Sequence, residues 1–85
     1  MALARMKYQP LEEYLRGQST TTCTLTFAQI ERVMGDALPP SARDAALPWW
    51  ANGGGHVQTR AWENAGWVAA VDHRQQSVTF TRRQA

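Results

Sequence analysis

Apolar side chains recur at helical spacing in three segments of the chain. In residues 9–17, Pro10 suits the first turn of a helix and Gly17 suits its end. In the second segment, Thr26 and Gln29 form a capping-box signature that starts a helix, and Gly35 ends it. Both segments therefore predict amphipathic helices with one face in the core. The apolar positions are Leu11, Tyr14 and Leu15 in the first segment, and Phe27, Ile30, Val33 and Met34 in the second.

The third helical pattern covers residues 56–65, with Gly66 placed to end it. Gln58 lies inside the apolar arc of this helix, so we expect its amide to have a specific hydrogen-bond partner. The predicted core arc contains Val57, Ala61, Trp62 and Ala65, and the predicted outer side contains His56, Thr59, Arg60, Glu63 and Asn64.

Two β-prone segments end the chain, and the four residues His73–Gln76 between them predict a β-hairpin over 67–81. The hydroxyl-rich stretch 18–25 predicts a loop that leads into one short strand. Three prolines and a glycine run predict an irregular linker over 37–55, in which Ser41 caps a short turn.

This order of elements predicts an α+β fold that is winged-helix-like, with three helices, a C-terminal β-hairpin and one short additional strand. One feature departs from that pattern. About twenty residues, instead of a tight turn, separate the second and third helices. A different α+β arrangement therefore stays open.

The length of 85 residues and the 44% apolar content predict one globular domain. We place it at residues 8–83, after an N-terminal extension at 1–7. No apolar run is long enough for a membrane span and no secretory signal is present, so we expect a cytoplasmic protein with no membrane contact. One cysteine and two histidines predict neither a disulfide nor a structural metal site, and no cofactor fingerprint occurs.

The net charge of +2 is unevenly distributed, because the surplus of basic residues lies in the C-terminal half. Arginines on the third helix and the hairpin are suited to phosphate contacts, although solubility explains them equally well. The candidate nucleic-acid-binding residues are Thr59, Arg60 and Asn64 at base edges, and His73, Arg74, Arg82 and Arg83 at the backbone.

Four tryptophans are candidates either for the core or for a contact surface. We assign Trp62 and Trp67 to the core. Trp49 and Trp50, followed by Asn52, form a possible aromatic platform, because indole rings stack on unpaired bases. The alternative is that at least one of that pair only fills the core.

The sequence predicts no enzymatic activity. His56 has no serine, cysteine or carboxylate at a spacing that would make it a general base, and its position at a helix start indicates capping. Cys23 lies among threonines without a neighbouring base, so we expect an unreactive thiol.

A series of short motifs runs through residues 8–83: LTFAQIERVMG, LPPSA, WWANGGGHVQTRAWENAGW and VTFTRR. This series resembles a widespread bacterial family of small domains of unknown function. The resemblance implies a compact α+β domain that occurs alone or beside other modules, some of them nuclease-like. Gln29 stands where that family often has an acidic residue, and Glu63 stands where it often has an aliphatic one.

Together, these patterns favour a non-enzymatic DNA-binding module for double-stranded DNA. In this hypothesis helix 56–65 reads the groove and hairpin 67–81 contacts the backbone. The alternative is a protein-interaction module, such as a regulator or a phage- or defence-related inhibitor, that docks through a tryptophan-rich surface. Either protein could be a monomer or a homodimer.

Overall fold

The computed structural model describes residues 7–53 and 56–83, so all but Lys7 of the expected N-terminal extension lies outside them. The described residues form a mixed α+β domain with four helices and a three-stranded antiparallel sheet, which confirms the predicted fold class. In chain order the elements are α1 (Gln9–Arg16), β1 (Thr22–Thr26), α2 (Phe27–Met34), α3 (Pro40–Arg43), α4 (Val57–Glu63), β2 (Trp67–Asp72) and β3 (Ser77–Arg82).

The second helix begins and ends as its sequence predicts. The Thr26 hydroxyl accepts a bond from the Gln29 N–H at 3.1 Å, and the Gln29 side chain accepts one from the Thr26 N–H at 2.8 Å. This reciprocal pair satisfies two backbone donors that helix geometry leaves free. At the other end, Gly35 adopts a φ of 72°, a left-handed conformation that costs glycine little.

The sheet has the strand order β1-β3-β2, so β3 lies in the centre and the hairpin forms as predicted. The short additional strand β1 pairs antiparallel with β3, with Leu25 opposite Val78. Because strand side chains alternate between faces, Leu25, Val78 and Phe80 are buried while the threonines of β1 are exposed. The stretch expected to be a loop is therefore an extended strand from Thr22 onward.

Aromatic side chains join the helices to the sheet. Phe27 stacks on Trp50 with ring centroids 5.8 Å apart, and Trp50 stacks on Trp62 at 5.6 Å. Trp62 then contacts Phe80 of the central strand. Trp62 and Trp67 are fully buried, which confirms their assignment to the core.

The linker between α2 and α4 contains the additional helix α3. Ser41 does not cap it, because Pro39 occupies the N-cap position and Ser41 already lies within the helix. The helix ends at Arg43, and the Asp44 carboxylate accepts the Ala46 N–H to form a turn instead.

Candidate nucleic-acid interface

Helix α4 lies against α1 and β2, and this packing leaves only one side of it exposed. The exposed residues of that side are Val57 and Arg60, and Asn64 at the C-cap is exposed as well. These residues are spaced three and four positions apart, so they lie on the same side of the helix. They line a groove between α1 and α4 of about 230 Å³, together with Tyr8, Gln9, Glu12 and Ala61. The structure thus brings Arg60 and Asn64 together, as the sequence predicted.

Thr59 does not belong to this exposed side, so the prediction that it reaches base edges is wrong. It is fully buried, and its hydroxyl donates to the Ala51 carbonyl at 3.3 Å. The prediction that Val57 belongs to the core is also wrong, because this residue is 48% exposed. The short helix is enclosed by two neighbours, and the hydrogen bond to Ala51 lets a threonine occupy the core.

The hairpin tip holds one exposed arginine and one packed histidine. Arg74 is exposed, and within the described residues it has no ionic or hydrogen-bond partner. His73 is half-buried, and its ring meets Phe27 edge-on with centroids 6.0 Å apart. Because the His73 Nδ1 atom is buried as well, this side chain is poorly placed for the expected contact with the DNA backbone.

Arg82 and Arg83 are held by other parts of the domain. The Arg82 guanidinium donates to the carbonyls of Gln18 and Thr20 and lies 4.6 Å from the centre of the Trp67 ring. These contacts tie the end of β3 to the loop before β1, so Arg82 is a structural clamp and not the free phosphate ligand that we expected. Arg83 lies 3.8 Å from the Glu63 carboxylate.

The expected aromatic platform does not form. Trp50 is 3% exposed, and its Nε1 donates to the Ala42 carbonyl at 2.8 Å. Trp49 is half-buried, with its ring between those of Tyr8 and Trp50. Since stacking on a base requires a free ring face, the buried Trp50 is excluded from that role.

Asn52 has a structural role that the sequence did not indicate. Its Oδ1 atom accepts bonds from Trp62 Nε1 and from the Ala69 N–H, each at 2.9 Å. Its Nδ2 atom donates to the Ala69 carbonyl at 2.9 Å. The amide therefore joins α4 to β2. A related prediction is confirmed nearby, because the Gln58 amide donates to the Trp49 carbonyl at 3.2 Å.

The helix cap at His56 differs from the prediction. His56 occupies the N-cap position of α4, yet its side chain makes no capping hydrogen bond. The thiol of Cys23 is half-buried, and burial raises its pKa, which disfavours the reactive thiolate.

Every acidic side chain in the described residues makes a hydrogen bond or an ion pair. Glu31 accepts the Leu38 N–H at 2.8 Å and pairs with Arg43 at 2.7 Å. The Leu38 N–H and then the Arg43 guanidinium lower the pKa of this carboxyl. The other ion pairs are Lys7–Asp36, Arg16–Glu12 and Arg83–Glu63. Further hydrogen bonds to acids come from Gln9 to Glu13, Ala37 to Asp36, Ala46 to Asp44, Gly53 to Glu63 and Gln75 to Asp72.

Three arginines remain without an acidic or carbonyl partner in the described part of the chain: Arg32, Arg60 and Arg74. They lie on α2, on α4 and at the hairpin tip. Sequence reasoning singled out the last two and missed Arg32, because ion pairing between distant elements decides which cations stay free.

Across residues 7–53 and 56–83 no helix has the length and apolar character that crossing a membrane requires. Comparison with curated proteins and with solved structures found no match. A family model described as a domain of unknown function, DUF7662, matches residues 8–84. That match covers nearly the whole chain, and the protein therefore belongs to the DUF7662 family of small domains.

Proposed function

We propose that this protein is a cytoplasmic, non-enzymatic DNA-binding module of winged-helix type, with α4 in the major groove and the hairpin on the phosphate backbone. The observation that supports this function is that Arg60 on α4 and Arg74 at the hairpin tip are exposed guanidinium groups without acidic partners. Free guanidinium groups are well suited to bind phosphate oxygens or guanine edges.

The outer side of α4 offers the chemistry that reading a groove requires. An α-helix with its side chains is about 10–12 Å across, which fits a major groove about 12 Å wide. Arg60 can bond guanine, Asn64 can bond adenine, and the apolar Val57 can contact a thymine methyl group. Direct contact thus rests on Val57, Arg60, Asn64 and Arg74, whereas Arg82 and the buried Thr59 support the fold.

Two acidic side chains near α4 are already neutralised. Glu12, which lines the same groove as Arg60, forms an ion pair with Arg16 at 2.9 Å. Glu63 accepts the Gly53 N–H at 2.7 Å and lies near Arg83. Because both carboxylates have partners, their repulsion of a phosphate backbone is reduced.

Fluorescence anisotropy with a labelled random-sequence duplex of about 20 base pairs tests this function across a salt series. We expect the logarithm of the binding constant to fall linearly with the logarithm of salt concentration. Arg60→Ala and Arg74→Ala should each weaken binding and reduce the salt slope by about 1. Arg32→Ala is the matched control, because it removes one free guanidinium from a different helix.

Two results would overturn the DNA proposal. One is absence of binding at low salt, and the other is binding that does not respond to salt. A third result, in which Arg32→Ala weakens binding as much as Arg60→Ala, would mean that net charge alone attracts the duplex and that α4 has no special position.

A second candidate function is supported by an exposed apolar surface beside α4. Leu47 is 45% exposed. Leu47 also lines a groove with Pro48, the half-buried Trp49 and His56. Such a surface suits a protein partner. A photo-crosslinking amino acid at position 47, used in cells, tests it: a specific crosslinked protein that Pro48→Glu abolishes supports this function, and crosslinks to nucleic acid alone exclude it.

A further inference from the structure

The two edges of the sheet differ in which backbone groups they leave open. The Arg82 N–H bonds the Thr21 carbonyl, and the Phe27 N–H bonds the Gln76 carbonyl. Since backbone groups alternate in direction along an antiparallel strand, Thr22, Thr24 and Thr26 must direct their N–H and C=O groups away from β3. These three residues therefore form the outer edge of β1.

The opposite edge, on β2, is closed by a side chain. Ala69 directs its N–H and C=O groups outward, and the Asn52 amide bonds both of them at 2.9 Å. An amide that bonds both groups occupies the place of a neighbouring strand. A further strand therefore cannot pair at the centre of β2 unless Asn52 moves.

The β1 edge is open at its centre. The Thr22 carbonyl accepts a bond from the Thr20 hydroxyl, and the Thr26 N–H bonds the capping Gln29. At Thr24, between them, no bond to the outward N–H or C=O occurs within the part of the chain that the structure describes. Exposed edges are usually protected by charges or proline, yet residues 17–30 contain neither.

A groove with a free cation lies beside this edge. It has a volume of about 250 Å³ and is lined by Tyr14, Leu25, Gln29, Arg32 and Val33. Leu25 belongs to β1, and Gln29, Arg32 and Val33 belong to the neighbouring helix α2. Arg32 is exposed, and in the described residues it has no partner. An open strand edge next to a helix-lined groove is the arrangement by which proteins add an extended peptide to a sheet.

We propose that β1 binds an extended segment of another protein that carries a carboxylate. The segment bonds Thr24 through its backbone, places an apolar side chain in the groove beside Leu25, and pairs its carboxylate with Arg32. A second copy of this chain fits less well, because its own uncharged edge brings no acid and leaves both Arg32 side chains unpaired. The carboxylate can belong to an Asp or Glu side chain or to a C-terminus.

Titration of the ¹⁵N-labelled full chain with three defined peptides, followed by amide NMR, tests this site. All three are acetylated heptapeptides of alternating threonine and leucine. The first ends in an amidated aspartate, the second replaces that aspartate with asparagine, and the third ends in a free carboxylate without aspartate. We expect the Thr24 amide signal to shift, and a carboxylate-bearing peptide to bind about five- to tenfold more tightly than the asparagine peptide. The first and third peptides distinguish the two sources of the carboxylate.

Two variants identify the contacts. Arg32→Gln should abolish the preference for a carboxylate, whereas Arg74→Gln, which removes an equal charge away from this edge, should leave it intact. Thr24→Pro should prevent binding, because proline lacks the outward N–H that the peptide would bond. The substitution removes no backbone bond between β1 and β3, since the Thr24 N–H points away from β3. The amide spectrum of each variant reports whether it is folded, and Arg32→Gln decides the matter if Thr24→Pro unfolds.

The proposal is overturned if none of the three peptides shifts Thr24, or if the carboxylate preference survives in Arg32→Gln. It is also overturned if Thr24 shifts with protein concentration alone, since the edge would then pair with a second copy. None of these results bears on DNA binding by α4, which the anisotropy measurement tests separately.

Discussion

Replacing Asn52 by alanine should strongly destabilise the domain, although Asn52 is itself exposed. Its amide makes three hydrogen bonds: two with Ala69 and one with Trp62. Asn52→Ala leaves all three partner groups without the side chain that bonds them. Trp62 is fully buried, and Ala69 is 7% exposed.

The loss of stability in Asn52→Ala depends on whether water can replace the three lost hydrogen bonds. An unsatisfied buried donor or acceptor costs about 1–3 kcal/mol. Water can reach Ala69 at the strand edge and replace most of the lost bonding, so its two groups together cost about 1 kcal/mol, while the enclosed Trp62 Nε1 costs about 2–3 kcal/mol. The sum is about 3–4 kcal/mol. A domain of this length has a total stability of roughly 4–13 kcal/mol, so the loss is a large share of it.

Urea denaturation followed by tryptophan fluorescence measures this loss. With a slope of about 1 kcal/mol per molar urea for a small domain, the midpoint should fall by about 3 M. Asn64→Ala is the matched control, because it deletes an exposed amide that makes no hydrogen bond within the described residues. The control should stay within about 0.5 kcal/mol of the parent. If the two variants unfold together, the network at Asn52 contributes nothing and the reasoning is wrong.

Two further substitutions test the clamps around the sheet and α2. Glu31→Gln should lower the melting temperature at pH 7. The contacts that lower the pKa of Glu31 stabilise only its ionised form. The difference in melting temperature from the parent should therefore shrink as the pH falls below the ordinary carboxyl pKa of 4.5. Melting curves followed by circular dichroism down to about pH 2.5 check this, and a difference that is constant with pH would contradict it. Arg82→Lys should lower the free energy of unfolding by about 1–2 kcal/mol, since lysine lacks the planar guanidinium that bonds two carbonyls over Trp67. In the same melting experiment, the control Arg74→Lys at the exposed hairpin tip should leave the stability almost unchanged.

Local rules explain which parts of the fold could be predicted from the sequence. The capping box at Thr26 and Gln29 needs only residues three positions apart, and the hairpin turn at His73–Gln76 needs only its neighbours. These features are present where the sequence places them. The burial of Trp62 and Trp67 follows from size and hydrophobicity, and it was also predicted correctly.

The errors occur where distant segments meet. A helical wheel for residues 56–65 treats α4 as packed on one side, whereas contacts with both α1 and β2 bury Thr59 and expose Val57. Arg82 looks like a free cation at the end of a strand until the loop at Gln18 and Thr20 places carbonyls around it. Neither contact leaves a periodic signal in the sequence.

The distribution of free charge links the two proposals and also separates them. All described acids are engaged, so Arg32, Arg60 and Arg74 are the cations that remain open to a polyanion or an acidic segment. If net charge alone governed binding, removing any one of them would weaken DNA binding equally, because each removal lowers the total charge by the same amount. The structure places Arg60 between α1 and α4 and Arg32 beside β1, in separate grooves. Position therefore predicts a reciprocal result, in which loss of Arg60 weakens DNA binding and spares the acidic peptide, and loss of Arg32 does the opposite.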